Sequence, residues 1–241
     1  MRNILKLASC LTPLCLTLAG CSGSAPSDAP KVPRYAAHLY VLSDVSKSST
    51  VQGNDALGKA VRARVADVVK EMELGDRVTV LTVGGRAAKN FVAYPTITTS
   101  TQFRLPAASR KVVAQLDEIA RNHRASGGDG NTNLLLALDN LRPDCRSGRS
   151  MIMIVSDGIE SSEAYDTAAA LSAGKPVEMP PPSGLLRGCM VELLGLGVVA
   201  DGLGGGNILP DAQLRSLRKG WERYLTSAQV ALEHIRFTSR L

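Results

Sequence analysis

The chain has 241 residues, 44% of them hydrophobic and 4% aromatic, with a formal net charge of +6. That is apolar material for one medium-sized domain with a proper core and some chain to spare. The basic residues are scattered and aromatics are too scarce for a base-stacking platform, so no nucleic-acid partner is expected.

Residues Met1 to Gly20 begin with Arg2 and Lys6, continue as an apolar stretch from Leu7 to Leu18, and lead into Leu18-Ala19-Gly20-Cys21. The stretch is short for a bilayer span and Pro13 interrupts it, so residues 1–20 read as an export signal rather than a membrane helix. Cleavage with release and cleavage with lipidation both fit that reading. Leu-Ala-Gly-Cys resembles the lipobox of bacterial lipoproteins, which implies that Cys21 is acylated and becomes the first mature residue. Ser22 stands where such proteins carry Asp for inner-membrane retention. The resemblance therefore implies a lipid anchor in the cell envelope, at the outer membrane if there is one. Removing Arg2 and Lys6 leaves a charge of about +4. Residues 21–34 are rich in Ser, Ala and Pro, bury little, and read as a flexible tether, leaving 35–241 as the folded domain.

Within that domain, buried strands alternate with amphipathic helices. Near-continuous apolar runs at His38–Leu42, Arg77–Val83, Met151–Val155 and Cys189–Leu196 predict strands covered on both faces. Asn90–Tyr94 is a candidate edge strand, joined to Arg77–Val83 through Gly84-Gly85. Helical spacing of Leu57, Val61, Val65, Val68 and Met72 predicts a helix over Asp55–Met72, with Gly75 just past its end. Further helices are predicted over Arg110–Arg121, Asn133–Leu141, Glu163–Ser172 and Asp211–Leu232, and a last short strand over His234–Thr238. The stripe Leu214, Leu217, Trp221, Leu225, Ala228 reads as core rather than as a binding face. Strands separated by helices imply right-handed crossovers and a mostly parallel sheet with helices on both sides, an α/β doubly wound fold.

Such sheets bind ligands beyond the C-terminal ends of their strands, where strand order reverses. Asp44-Val-Ser46-Lys-Ser48 follows the first strand, placing one carboxylate and two hydroxyls at alternate positions of an extended segment, where all three can point the same way. That is half of an oxygen cage for a small divalent cation. Thr132, in Gly130-Asn-Thr132-Asn133-Leu134, and Asp157, in Val155-Ser156-Asp157-Gly158, are candidates for the other half. The alternative is local: the serines cap a helix and the aspartates hold backbone amides.

In order and in strand-and-helix context, these three motifs resemble the metal-ion-dependent adhesion site of the von Willebrand factor type A domain. The resemblance runs from about Tyr35 to the C-terminus. It implies a three-layer α/β/α fold with strand order 3-2-1-4-5-6. It also implies an ion, Mg2+ or Mn2+, held directly by Ser46, Ser48 and Thr132, with Asp44 and Asp157 acting through water or from behind. Neutral hydroxyl ligands leave such an ion short of negative charge, so the resemblance implies a protein partner that adds an Asp or Glu. The chain departs from the family at Asn131-Thr132, where Gly usually precedes the threonine, and the glycines around Asp129 read as a mobile loop. Lys175–Ser183, with four prolines, reads as an inserted loop; Ala200–Asn207, rich in glycine, is a weak phosphate signal.

Cys10 and Cys15 leave with the signal, so Cys145 and Cys189 remain as a pair in an exported chain, either bridged or as two thiols. If the family order holds, both lie at the N-terminal edge of adjacent strands, which favours the bridge. His38, His123 and His234 form no metal-ligand spacing, G-x-S-x-G is absent, and position 46 is Ser where a D-x-D phosphotransferase needs Asp. The leading expectation is a non-enzymatic, lipid-anchored, metal-dependent protein-binding domain. The alternatives are a metal-assisted hydrolase and a structural subunit of an envelope complex with a purely structural metal.

Overall fold

Apolar runs too long and continuous for a half-exposed strand fold into the middle of a sheet. The computed structural model describes residues 36–49, 55–85, 92–162, 165–200 and 206–239, all within the unit Arg34–Leu241. The export signal, Cys21 and the tether lie outside the described residues. The strands are β1 His38–Asp44, β2 Arg77–Val83, β3 Ile97–Thr98, β4 Met151–Val155, β5 Met190–Leu194, β6 Val198–Ala200, β7 Gly206–Ile208 and β8 Ile235–Thr238. The helices are α1 Asp55–Lys70, α2 Leu105–Ser126, α3 Leu134–Leu141, α4 Thr167–Ser172 and α5 Asp211–Ser227.

Six strands form one sheet in the order β3-β2-β1-β4-β5-β8, and all neighbours are parallel except β2 and β3. The α/β doubly wound architecture is therefore present, with β8 as the outer strand after β5. β6 and β7 pair with each other outside this sheet.

Alternation along each strand sorts the core into two layers. Leu39, Val41, Met151 and Met153 face α1 and α2, where Val61, Val65, Val112 and Leu116 meet them. Tyr40, Leu42, Ile152 and Ile154 face the opposite layer, built from Leu134 and Leu138 of α3 and from Leu217, Trp221 and Leu225 of α5. Trp221 is fully buried, and its stripe is core, as its spacing implies. Each fully buried Leu or Ile adds roughly 1.5–3 kcal/mol of transfer free energy.

Several boundaries differ from the sequence reading. β1 runs two residues further, so Asp44 ends the strand instead of following it. α2 is longer at both ends: Pro106 begins its first turn and Gly127, at φ 75°, closes it in the left-handed region. α5 stops at Ser227, and Gln229 takes φ 68°, which ends the stripe before Leu232. α4 is only six residues, capped by Asp166 through Ala169 N. The edge strand beside β2 is Ile97–Thr98, while Ala93 makes a single bridge to Leu81. The glycine-rich segment after β5 is flanked by the β6–β7 hairpin, and residues 201–205 lie outside the described set.

Cys145 and Cys189 form a disulfide, with Cα atoms 5.0 Å apart. Cys145 lies ahead of β4, and Cys189 immediately precedes β5. The bridge therefore joins the N-terminal ends of two adjacent parallel strands. No helix among the described residues is long and apolar enough to cross a membrane.

Candidate metal centre

The sheet order places the reversal between β1 and β4. From β1 the chain proceeds to β2 and β3 on one side, and from β4 to β5 and β8 on the other. Ser43 is level with Val155, so Asp44 and Ser156 leave the sheet side by side. The contact is direct: Ser156 Oγ donates to Asp44 Oδ2 at 2.6 Å. Asp44 Oδ1 accepts from Ser46 N at 2.8 Å, and Asp157 Oδ1 accepts from Ile159 N at 2.8 Å. Both aspartates thus bend their own loops through i to i+2 turns, which leaves the following side chains facing the space beyond the strand ends.

Ser46 and Ser48 converge, with their Oγ atoms 3.2 Å apart, but they do so in a turn closed by Ser49 N donating to Ser46 O at 3.1 Å and not in the extended segment expected from the sequence. Ser48 acts on Asp157, lowering its carboxyl against the effect of burial, so the first motif and the third meet. Thr132 arrives on a loop zipped to the segment after Asp157. Thr132 N donates to Ser161 Oγ at 2.8 Å, Ser161 N to Thr132 O at 3.1 Å, and Asn131 Nδ2 to Ser161 O at 2.7 Å.

Asp44 and Asp157 have no exposed surface. Burial raises the Asp44 carboxyl above its ordinary range, with the Ser156 hydrogen bond opposing. Burial, and then the charge of Asp44, push Asp157 up to about 7. Two buried carboxylates this close repel each other unless a proton or a cation lies nearby.

The donor set fits a small, hard cation. Thr132 Oγ1 and Asp157 Oδ2 are buried and have no hydrogen-bond partner among the described residues. Beside them stand the two hydroxyls of Ser46 and Ser48. Oxygen donors of this kind, few of them charged, suit Mg2+ or Mn2+ better than Zn2+, which favours Cys and His. Among the described residues no three His, Cys, Asp or Glu side chains cluster as a metal-binding group. The convergence here is of hydroxyls with two carboxylates.

Other residues hold this site without any signal in the sequence. His123, on α2, donates from Nε2 to Ser46 O at 3.0 Å. Asp129 pairs with the serine loop through Lys47 N to Asp129 O and Asp129 N to Val45 O, both 2.8 Å. The loop expected to be mobile is thus tied to the first motif. Glu160 is fully buried, and its Oε2 accepts from Leu134 N at 2.8 Å and Leu135 N at 3.3 Å, capping α3 two residues past Thr132. Burial pushes its carboxyl up to about 7. The β6–β7 hairpin stands beside the same loop, with Val199 bridged to Ser49 and Gly197 N donating to Asp157 O at 2.7 Å.

No protein-family model matches the chain, and no curated protein matches it. Several solved structures share parts of its shape, three of which follow. One is the conserved hypothetical protein BatB from Bacteroides thetaiotaomicron, at 15% identity over 84% of this chain and 89% of that one, TM-score 0.44. Another is an aerotolerance-related membrane protein from Bacteroides fragilis, at 17% identity over 84% and 91%, TM-score 0.41. The third is the pilus adhesin SpaC from Lactobacillus rhamnosus GG in its open conformation, at 11% identity over 87% of this chain and 28% of that one, TM-score 0.43. At identities and scores this low, nothing about those proteins carries over to this chain.

Proposed function

We propose that the chain is a non-catalytic, divalent-metal-dependent protein-binding domain of the von Willebrand factor A type, anchored in the cell envelope by lipid on Cys21. The observation that carries this reading is the pair of buried, unpartnered oxygens, Thr132 Oγ1 and Asp157 Oδ2, beside the Ser46 and Ser48 hydroxyls. An unpaired buried polar atom costs about 1–3 kcal/mol, and two at one sheet edge are accounted for by a shared ligand. Ser46, Ser48 and Thr132 would hold Mg2+ or Mn2+, with Asp44 and Asp157 lending negative charge. The ion would supply an electrophilic point for an Asp or Glu of a partner protein. Asp44 fixes the serine loop through Ser46 N, Ser161 fixes the threonine loop, and His123 holds Ser46 from behind.

Calorimetric titration with MgCl2 and MnCl2 tests the reading. Wild type is expected to bind one ion, and Thr132→Ala and Asp157→Ala are each expected to weaken binding at least about tenfold. A double variant that titrates like wild type would remove the metal from the reading, and the partner-binding proposal with it.

A further inference from the structure

On the far side of the sheet from α1 and α2, the outer surface of α5 borders an open groove of about 820 Å3. Its wall along α5 is basic. Arg215, Lys219 and Arg223 recur every four residues, which puts them in one row on the helix, about 6 Å apart and about 12 Å end to end. Lys175 extends the charge beyond that row, and Glu222 is the one acidic residue of the lining.

These cations are not used up by the fold. Lys175, Arg215 and Lys219 are exposed and have no carboxylate partner among the described residues. Arg223 is partly engaged: Nη2 donates to Val177 O at 2.8 Å, Nε donates to Lys219 O at 3.4 Å, and Nη1 reaches Glu178 at 4.0 Å, yet its side chain is 58% exposed. Pro176, exposed, and Leu232, 58% exposed at one end, give the groove apolar surface; Leu171 borders it but is only 4% exposed, and Gln213, Ser216 and Thr226 are polar members of the lining. Its walls are fixed by Val177 N on Ser216 Oγ (3.1 Å) and Gln213 Nε2 on Leu171 O (3.2 Å).

We infer that this groove docks an acidic amphipathic helix of a partner protein, with the partner's glutamates or aspartates on the α5 row and its apolar stripe on Pro176 and Leu232. Such a helix complements the groove in charge and in period. Carboxylates placed every fourth residue on a helix repeat at the same interval of about 6 Å as the cations they face. A flat anionic bilayer would meet the rim of a recess and leave its apolar residues unfilled, so the concavity favours a protein segment. The site is separate from the metal centre and needs no metal.

The probe is a fluorescein-labelled synthetic helix with Glu at every fourth position beside a Leu stripe. Its controls are the same helix with Gln for Glu, the same helix with Lys for Glu, and vesicles of phosphatidylglycerol in phosphatidylcholine. Anisotropy is measured against the full mature chain in EDTA, so that failure of the metal reading leaves this test intact. The Glu helix is expected to bind at least about tenfold more tightly than the Gln helix. Arg215→Glu with Lys219→Glu, both at exposed positions, should cost a further factor of at least about ten and transfer preference to the Lys helix. Binding should weaken steeply between low salt and about 0.5 M salt. Equal binding of the Glu and Gln helices, or a double variant that binds like wild type, overturns the inference. So does a result in which only the anionic vesicles respond to the double variant, which would make the occupant a membrane surface.

Discussion

Breaking the Cys145–Cys189 bridge asks how much the sheet depends on it and whether the two sheet edges are independent. The bridged residues are 44 apart in sequence, and closing such a loop removes about 4 kcal/mol of chain entropy from the unfolded state. Cys189 is 0% exposed and Cys145 7%, so alanine is the right replacement, since serine would bury an extra hydroxyl at each position. In a domain of this size, about 4 kcal/mol corresponds to a fall in Tm of roughly 8–16 °C. Differential scanning calorimetry on the exported wild type and on Cys145→Ala/Cys189→Ala, with EDTA and with Mg2+, measures it. The bridge lies at the N-terminal ends of β4 and β5, whereas Asp44 ends β1 and Asp157 lies just past β4, at the opposite edge of the sheet. Any rise in Tm that Mg2+ gives the wild type should therefore survive in the double variant. A double variant within about 2 °C of wild type would refute the chain-entropy account. Loss of the Mg2+ response in a still-folded double variant would refute the independence of the two edges.

Three further outcomes are expected. Burial, then the charge of Arg77, hold His38 down at about 4 from an ordinary 6.5. The neutral ring contributes stability that is fully present above pH 6.5 and is lost as pH falls through about 4; chemical denaturation across that range should show a shallower acid slope in His38→Gln. Gly158, at φ 74°, has no room for a side chain: a Cβ would sit 2.5 Å from Leu196 Cδ1 and 3.0 Å from Trp221 Nε1. Gly158→Ala should cost about 1–3 kcal/mol in urea unfolding, and an unchanged midpoint would show that the loop after Asp157 yields freely. Cys21→Ser should move the protein from the membrane fraction to a soluble or unprocessed form, and a free Cys21 thiol in mature wild type, seen by mass spectrometry, would end the lipidation proposal.

The sheet was legible because Met151–Val155 is buried on both faces and apolar without interruption, while Arg77–Val83 alternates buried Val78 and Val80 with partly buried Arg77, Thr79 and Leu81; both match to the residue. Helix lengths were less legible, because an apolar stripe reports packing and not hydrogen bonding. α2 extends past its stripe to a start at Leu105-Pro106 and a stop at Gly127, two signals that local chemistry provides and periodicity does not. At the end of α5 the error ran the other way: Leu232 continues the spacing, but the chain turns at Gln229 and leaves that side chain exposed.

The convergence of Ser46 and Ser48 beside Asp44 was legible for a related reason. Asp44, Ser46 and Ser48 come together through spacing within one segment, and spacing is what a sequence displays. The residues that hold those motifs act across the chain. His123 reaches Ser46 over 77 positions, Glu160 reaches Leu134 over 26, and Ser161 reaches Thr132 over 29. Nothing in Asp-Gly-Ile-Glu-Ser-Ser singles out Glu160, because its role is set by a helix that begins elsewhere. The same limit hid the α5 groove: its row of cations reads as an ordinary solvated helix face until Leu171, Pro176 and Leu232 are seen to border it. A sequence shows which donors are offered, and the fold decides which of them meet.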